Sequence, residues 1–274
     1  MDLAELAWWQ WGLGAFAATL CGTAKTGVPG LGILVVPLMA IIFGGKQSVG
    51  TLLPMLIFAD CFAVCWYRRH AQWDKLWSLF PWVLPGVVLG FVVLWAIDGL
   101  ALPFDGKLAF KPLIGAIVLT MLIIHLLRQR MGDRLVPNSP VAVAATGTGA
   151  GAATTLANAA GPIMTLYLAG MRLPKEQFMG TNAWFFLILN CAKVPLYLVL
   201  TVLAPQNPMF SKGSILFDLA MLPLIVVGVF LGKWVFTRIP QRLFDVLVLV
   251  LAGLSSINLL LSPWLDLGKL LGGG

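Results

Sequence analysis

Charged side chains are scarce in this sequence. Asp, Glu, Lys and Arg together make up 11% of its 274 residues, whereas about 25% is usual in soluble domains. Hydrophobic residues account for 59%, and the mean hydropathy is +0.93. No polar stretch of the size of a soluble domain separates the apolar runs. The composition therefore excludes a soluble enzyme or nucleic-acid-binding module and predicts a single transmembrane domain over residues 1–274.

Residue types that carry catalytic chemistry are also few. The sequence has two histidines, and its four cysteines show no CxxC spacing, so we expect no metal site, no disulfide framework and no cofactor. It contains no Walker-type phosphate-binding motif, so ATP is not expected to drive this chain directly. A membrane enzyme would need a nucleophile beside a base, or a metal cluster. Neither is evident, and we predict that the protein is not an enzyme.

Apolar runs occupy most of the chain. Charged residues, Pro and Gly separate ten segments, near residues 8–24, 29–44, 50–67, 80–97, 111–127, 139–157, 161–171, 180–203, 214–237 and 243–262. A helix needs about 20 residues to cross a bilayer, and segments 29–44 and 161–171 are shorter, so whether these two cross or re-enter stays open. The predicted fold is all-α: a polytopic membrane helix bundle with interrupted or re-entrant helices near 24–30 and 157–162.

Lys and Arg are unevenly divided between alternate loops. Five fall on one side, and eleven fall on the other, namely Arg68, Arg69, Lys75, Arg128, Arg130, Arg134, Arg172, Lys175, Lys233, Arg238 and Arg242. Because basic loops stay in the cytoplasm, the side with eleven is predicted to be cytoplasmic and both termini to be outside. The same loops account for the net charge of +7, so nucleic acid is not an expected partner.

The two halves of the sequence resemble one another. Gly50-Thr51, Asp60-Cys61, Val64 and Tyr67 are matched, at a constant offset of 130, by Gly180-Thr181, Asn190-Cys191, Val194 and Tyr197. We therefore predict two repeats, about residues 1–130 and 138–274. With five elements in each half, the second repeat would be inverted in the membrane relative to the first. Inverted repeats with interrupted helices are typical of secondary transporters, whose substrate site lies near the midplane.

Each half has an interruption rich in Gly and Pro. The first lies within Gly22–Gly32 and the second within Thr154–Pro162. Irregular backbone is tolerated in a membrane only where protein or a wet cavity satisfies its polar groups. We expect a new half-helix to start after each break, with Pro29 or Pro162 just inside it and amide groups near Gly27, Gly30 and Gly161 available to an anion.

Two lysines are predicted to add positive charge to this site. Lys25 lies in the first break, where a lysine that snorkels to the cytoplasmic surface is the alternative. Lys193 lies near the middle of a long apolar segment, where a charge costs at least about 2.5 kcal/mol. The alternative for Lys193 is a structural pair with Asp60, which the sequence indicates as the only carboxylate well inside an apolar run. Asp60 is also the candidate for coupling transport to protons.

Polar residues near the breaks supply further candidate donors. Thr26, Asn158, Asn182 and Asn190 carry hydroxyl or amide groups that could bind an oxyanion without adding charge. The alternative for each is a hydrogen bond between helices. The Gly86/Gly90 and Gly228/Gly232 pairs are predicted to serve close helix packing instead of a site.

The motifs resemble one family of membrane proteins. The stretches Lys25-Thr-Gly-Val-Pro-Gly-Leu-Gly32 and Pro85-Gly-Val-Val-Leu-Gly90, with Asn158-Ala-Ala-Gly-Pro162 and Asn190-Cys-Ala-Lys193-Val-Pro195, resemble the sulfite exporter (TauE/SafE) family of bacterial permeases. The resemblance covers nearly the whole chain. It implies a two-repeat bundle in the bacterial inner membrane that exports sulfite, sulfoacetate or a related small sulfur-containing anion.

These patterns together predict a secondary transporter that exports a small anion by alternating access. The alternatives are an anion channel built on the same lysines and, less favoured, a membrane enzyme. Expected partners are the anion, the lipid bilayer and a coupling ion, a proton among the candidates; assembly as a homodimer stays open.

Overall fold

The computed structural model describes residues 6–29, 31–43, 45–99, 119, 123, 140–206 and 208–261, and Gly30 and most of the predicted segment 111–127 lie outside them. Every regular element among the described residues is helical. The α-helices are α1 (Trp8–Thr26), α2 (Gly32–Phe43), α3 (Gly45–Tyr67), α4 (Trp73–Gly99), α5 (Pro140–Ala157), α6 (Gly161–Gly170), α7 (Lys175–Leu203), α8 (Lys212–Arg238) and α9 (Gln241–Leu261). Each lies on a predicted apolar segment, which confirms the all-α fold.

Four of these helical stretches are long and apolar enough to cross a membrane. They are Lys46–His70, Trp73–Ala96, Lys175–Leu203 and Lys212–Arg238. The protein is therefore a multi-pass membrane protein. Helices α2 and α6 have 12 and 10 residues, which gives lengths of about 18 and 15 Å at 1.5 Å per residue. Neither helix alone spans the roughly 30 Å of a bilayer core.

The chain forms two compact units. The first comprises Met1–Trp77 and Leu173–Asp245, and the second comprises Ser78–Arg172 and Val246–Gly274. The first unit thus contains α1, α2, α3, α7 and α8, while α5 and α6 belong to the second. Each unit combines residues from both predicted repeats. The prediction of a single domain built from two repeats stays a prediction.

The first unit is built by α1 packing along α8, with α2 and α3 beside α1 and with α7 against α3. Its apolar core includes Ala17, Val35, Met39, Leu52, Met55, Phe217 and Ile225, all buried. Two glycines allow the backbones of α1 and α8 to approach closely. A Cβ at Gly22 would lie against the backbone of Ile225 and Val229, and one at Gly228 would lie against the backbone of Thr19. Small residues at such contacts are typical of membrane helix pairs.

The second unit contains a helix pair with the same contacts. A Cβ at Gly151 of α5 would lie against the backbone of Val83 and Val87 of α4, and one at Gly86 would lie against the backbone of Thr148. The residues of α5 follow those of α1 at an offset of 129, and those of α8 follow those of α4 at an offset of 142. Gly86 and Gly228 serve close helix packing, as predicted, and Gly151 does so as well. Two helix pairs with equivalent contacts are also what a duplicated sequence would produce, whereas the inversion of one repeat stays a prediction.

Both predicted interruptions are present. Helix α1 ends at Thr26 and α2 begins at Gly32; α5 ends at Ala157 and α6 begins at Gly161. At the far end of α2, the side-chain nitrogen of Gln10 in the first turn of α1 contacts the carbonyl oxygen of Ile42 at 3.5 Å. Helix α2 therefore runs from the end of α1 back to its beginning. Together with the preceding break, it extends over the length of α1.

Candidate functional site

The candidate site lies in the first unit, where α1, α3 and α7 meet around the buried carboxylate of Asp60. The ammonium Nζ of Lys25, in the last turn of α1, lies 2.8 Å from Asp60 Oδ1. The amide nitrogen of Asn190, on α7, donates a hydrogen bond to Asp60 Oδ2 at 2.7 Å. Lys193 lies on α7 one helical turn after Asn190. We refer to these four residues as the Asp60 cluster.

Lys25 is directed into the unit. Its side chain is 11% exposed, and Nζ lies 4.1 Å from the centroid of the Phe186 ring on α7. The negative face of an aromatic ring attracts a cation, so the ring and the Asp60 carboxylate together offset the cost of removing the ammonium group from water. These contacts are inconsistent with a lysine that snorkels to the membrane surface.

Lys193 is completely buried, with a relative exposure of 0%. Its Nζ lies 5.8 Å from the centroid of the Tyr197 ring, one turn further along α7. The charged groups that interact electrostatically with Lys193 are Lys25 and Asp60. Asp60 forms an ion pair with Lys25, and whether Lys193 pairs with Asp60 or faces the substrate stays open. The Asp60 cluster thus contains two lysine side chains and one carboxylate.

The amide groups of Gly27 and Val28 in the first break are already engaged. The N–H groups of Gly27 and Val28 both point to the carbonyl oxygen of Thr23, at 2.9 and 3.3 Å. The Gly27 amide is therefore not free in this structure, and a role for Gly27 in binding the anion stays a prediction. Lys25 also lies at the carboxyl end of α1, which carries partial negative charge, and not beside a helix N-terminus. A Cβ at Gly27 would lie against the backbone of Gly232, so this glycine serves close packing with α8.

Two further expectations for this break differ from the structure. Pro29 was predicted to lie just inside the following helix, but α2 begins three residues later, at Gly32. Pro29 lies within the break and is buried. Thr26 was a candidate ligand, but its hydroxyl lies 2.7 Å from the carbonyl oxygen of Val229 and 3.0 Å from that of Gly22. These contacts favour the role of Thr26 in joining α1 to α8.

The second break lies in the second unit. Asn158 has a φ of 51°, and its N–H donates to the carbonyl oxygen of Thr154 at 2.9 Å. Asparagine is one of the few residues besides glycine that adopt this left-handed conformation readily, and it often ends a helix in this way. Gly161 begins α6, whose N-terminus has no side-chain cap. A Cβ at Gly161 would meet no described atom within 4 Å. A pocket shared by the two breaks stays a prediction.

The candidate amides on α7 lie on its buried face. Asn182 is 7% exposed and Asn190 is 0% exposed. The side-chain oxygen of each has no hydrogen-bond partner among the described residues. Both amides therefore retain hydrogen-bonding capacity inside the first unit, which is costly unless a polar partner uses it.

One buried residue was missed by the sequence reading. Asp218 lies on α8 with a relative exposure of 4%, so Asp60 is not the only buried carboxylate. The spacing of its neighbours could have indicated this. Intervals of three and four residues place Asp218 on one face of α8 with three other buried residues, Ser214, Met221 and Ile225. Among the described residues, no group of three or more His, Cys, Asp or Glu side chains could hold a metal ion.

Comparison with known proteins identifies the family. The family model "Sulfite exporter TauE/SafE" matches residues 14–259, which include every residue of the Asp60 cluster and both breaks. Searches of the curated proteins and of the solved structures gave no match. Because the matched region covers most of the sequence, the chain belongs to the sulfite exporter TauE/SafE family of membrane transporters.

Proposed function

We propose that this protein is a secondary transporter that exports a small anion, sulfite or an organosulfonate such as sulfoacetate, across the bacterial inner membrane. The observation that carries the proposal is the composition of the Asp60 cluster, in which two lysines, Lys25 and the fully buried Lys193, lie on the helices that meet at one carboxylate. Burying a cation in excess is unfavourable. An anion that enters the cluster offsets this cost, and a neutral or cationic substrate does not.

The substrate would be recognised by charge and by directed hydrogen bonds. Sulfite and sulfonate groups both present three oxygen atoms, which can accept from the ammonium groups of Lys25 and Lys193 at the same time. Charge-assisted hydrogen bonds of this kind are about twice as strong as neutral ones. The amides of Asn182 and Asn190 supply further polar contacts.

Asp60 has a specific part in this proposal. Its carboxylate lies 2.8 Å from Lys25 Nζ and acts as an internal counter-ion. The entering anion competes with Asp60 for Lys25, so binding exchanges one anionic partner for another. Competition of this kind weakens net affinity and favours release, which a transporter requires as much as binding.

Alternating access is the proposed mechanism of movement. The irregular segment between α1 and α2 lies directly after Lys25, so a change of angle at this break would alter the position of one lysine relative to Asp60. In transporters built from repeats, access changes as one repeat rocks against the other around the site. Both termini are proposed to lie outside, with the basic loops in the cytoplasm.

The decisive experiment is transport by purified protein in proteoliposomes. Uptake of labelled sulfite, sulfoacetate and sulfate is compared for wild type, Lys25→Gln, Lys193→Gln and the control Lys75→Gln, whose side chain is 40% exposed. We expect saturable uptake and counterflow in wild type and control, and loss of both in the two cluster variants. Equal transport by all four proteins would disprove the role of the cluster.

The same assay distinguishes the alternatives. Flux that does not saturate and shows no counterflow would indicate an anion channel. Chemical turnover of the sulfur compound in detergent, without a membrane barrier, would indicate an enzyme.

A further inference from the structure

Asp218 is a buried carboxyl group that the proposed anion site does not use. It lies on α8 six residues after Lys212, about 9 Å along the axis from the start of that helix. The residue is 4% exposed, and neither carboxyl oxygen has a hydrogen-bond partner among the described residues. Its neighbours on the buried face of α8 include Phe217 and Met221, which belong to the apolar core.

The two buried carboxyl groups of the first unit differ in their surroundings. Asp60 has an ammonium group at 2.8 Å and an amide donor at 2.7 Å. Asp218 has no ion pair among the described residues. An isolated ionised carboxylate costs many kcal/mol in an apolar environment, so such a group remains neutral by binding a proton. Asp60 therefore has partners that offset its negative charge, whereas no described residue does so for Asp218.

Among the described residues around α8, no cationic side chain pairs with the Asp218 carboxyl group in place of a proton. Helices α1 and α3 pack against α8, and the short α2 has no titratable residue. The other titratable residues of these helices and of α8 that are buried or partly buried are Cys21, Lys25, Lys46, Asp60, Tyr67 and Lys233. Of these, Cys21 interacts electrostatically with Asp218, and a thiol brings no positive charge.

We propose that Asp218 is a proton-binding site that couples anion transport to the proton gradient. The inference rests on the proposed transport function and assigns its coupling ion. In the described conformation the carboxyl group is protonated and sealed in the core. The carboxyl group takes up a proton when the transport cycle opens this part of α8 to water on one side of the membrane, and it releases that proton when the cycle opens it to the other side.

The test separates coupling from transport. Wild type, Asp218→Asn and the control Asp74→Asn, an exposed carboxylate beside Lys75, are reconstituted as full chains in sodium-free proteoliposomes with the membrane potential clamped. Sulfite counterflow without a pH gradient measures transport alone. Sulfite accumulation under an imposed pH gradient measures coupling. Because asparagine resembles a protonated aspartate in shape and charge, we expect Asp218→Asn to keep counterflow and to lose all stimulation by the pH gradient, while Asp74→Asn behaves as wild type.

Several results would overturn the inference. Stimulation that persists in Asp218→Asn would exclude Asp218 as the coupling group. Counterflow in wild type with no response to a pH gradient would leave the transport function intact and remove proton coupling. Acceleration by a sodium gradient, lost in Asp218→Asn, would assign the site to sodium instead.

A readout independent of transport keeps the proposal testable if no sulfite moves. Infrared spectroscopy of the purified protein should show a carboxylic acid carbonyl band at neutral pH that disappears in Asp218→Asn and remains in Asp60→Asn. If the bands of wild type and Asp218→Asn are identical, Asp218 is ionised and the proposal is wrong.

Discussion

Asp60 and Asn190 are hydrogen-bonded to each other at 2.7 Å although they are 130 residues apart, which is the offset between the two halves of the sequence. If the two halves are repeats related by a two-fold axis, equivalent residues can touch only close to that axis. The hydrogen bond joins α3 to α7, the helices that the offset predicts to be equivalent. The pair is chemically unequal, because one member is a carboxylate and the other an amide.

Exchanging the two residues tests whether the carboxylate must belong to the first half. Asn190→Asp alone would put two carboxylates in contact. Asp60→Asn alone would remove the only carboxylate of the Asp60 cluster and leave its two lysines. We expect either variant to lose most sulfite uptake. The double exchange restores one carboxylate to the Asp60 cluster, so it should transport better than both single variants. Uptake by the double variant at or below the level of the worse single variant would contradict this expectation.

The ion pair between Lys25 and Asp60 should contribute to stability far more than an exposed pair. Removing one partner of a buried pair costs about 3–5 kcal/mol, whereas exposed pairs contribute about 0–1 kcal/mol. A double-mutant cycle with Lys25→Met and Asp60→Asn, measured by thermal unfolding in detergent, should therefore give a large coupling energy. The cycle with Lys75→Met and Asp74→Asn provides the control, because those side chains are 40% and 64% exposed. Equal coupling energies in both cycles would show that the buried pair contributes no more to stability than the exposed pair.

The helices and their breaks could be predicted from the sequence because both depend on local composition. Long apolar runs predict spanning helices, and the Gly- and Pro-rich stretches predict where α1 and α5 end. The offset between the halves likewise predicted that Asp60 and Asn190 are equivalent. It could not predict that they touch, since a sequence offset contains no information on the distance between two equivalent residues.

The partners of individual polar groups could not be predicted for a different reason. The amide of Gly27 is satisfied by Thr23 within the last turn of α1, and the hydroxyl of Thr26 reaches Val229, about two hundred residues away in sequence. Whether a polar group serves packing or a ligand depends on which helix stands beside it. Asp218 was missed because it lies near one end of its helix, where a carboxylate is expected to reach water.

Thr26 offers a test of packing against ligand binding. Thr26→Val has nearly the same shape but removes the hydroxyl that lies 2.7 Å from the Val229 carbonyl oxygen. We expect stability to fall by about 1 kcal/mol, with the sulfite concentration for half-maximal uptake unchanged. Thr26→Ser keeps the hydroxyl and should retain most of the helix contact. A loss of sulfite affinity in Thr26→Val at unaltered stability would instead make Thr26 a ligand.

The glycines between helices predict paired effects in the two units. A Cβ at Gly22 or at Gly151 would collide with the backbone of the facing helix, α8 or α4 respectively. Overpacking usually costs about 1–3 kcal/mol, and a clash with backbone atoms cannot be relieved by turning a side chain. We therefore expect Gly22→Ala and Gly151→Ala each to lower the unfolding temperature in detergent by similar amounts.

Gly12→Ala is the matched control for this pair, since a Cβ at Gly12 of α1 would meet no described atom within 4 Å. Alanine favours the helical conformation over glycine by about 1 kcal/mol, so this variant should be as stable as wild type or more so. If Gly22→Ala lowers the unfolding temperature and Gly151→Ala does not, stability depends on the close contact in one helix pair but not in the other. The two halves would then be similar in sequence but not in how this contact contributes to stability. Similar losses in both would indicate that each half of the chain depends on the same close contact between its own first helix and a late helix of the other half.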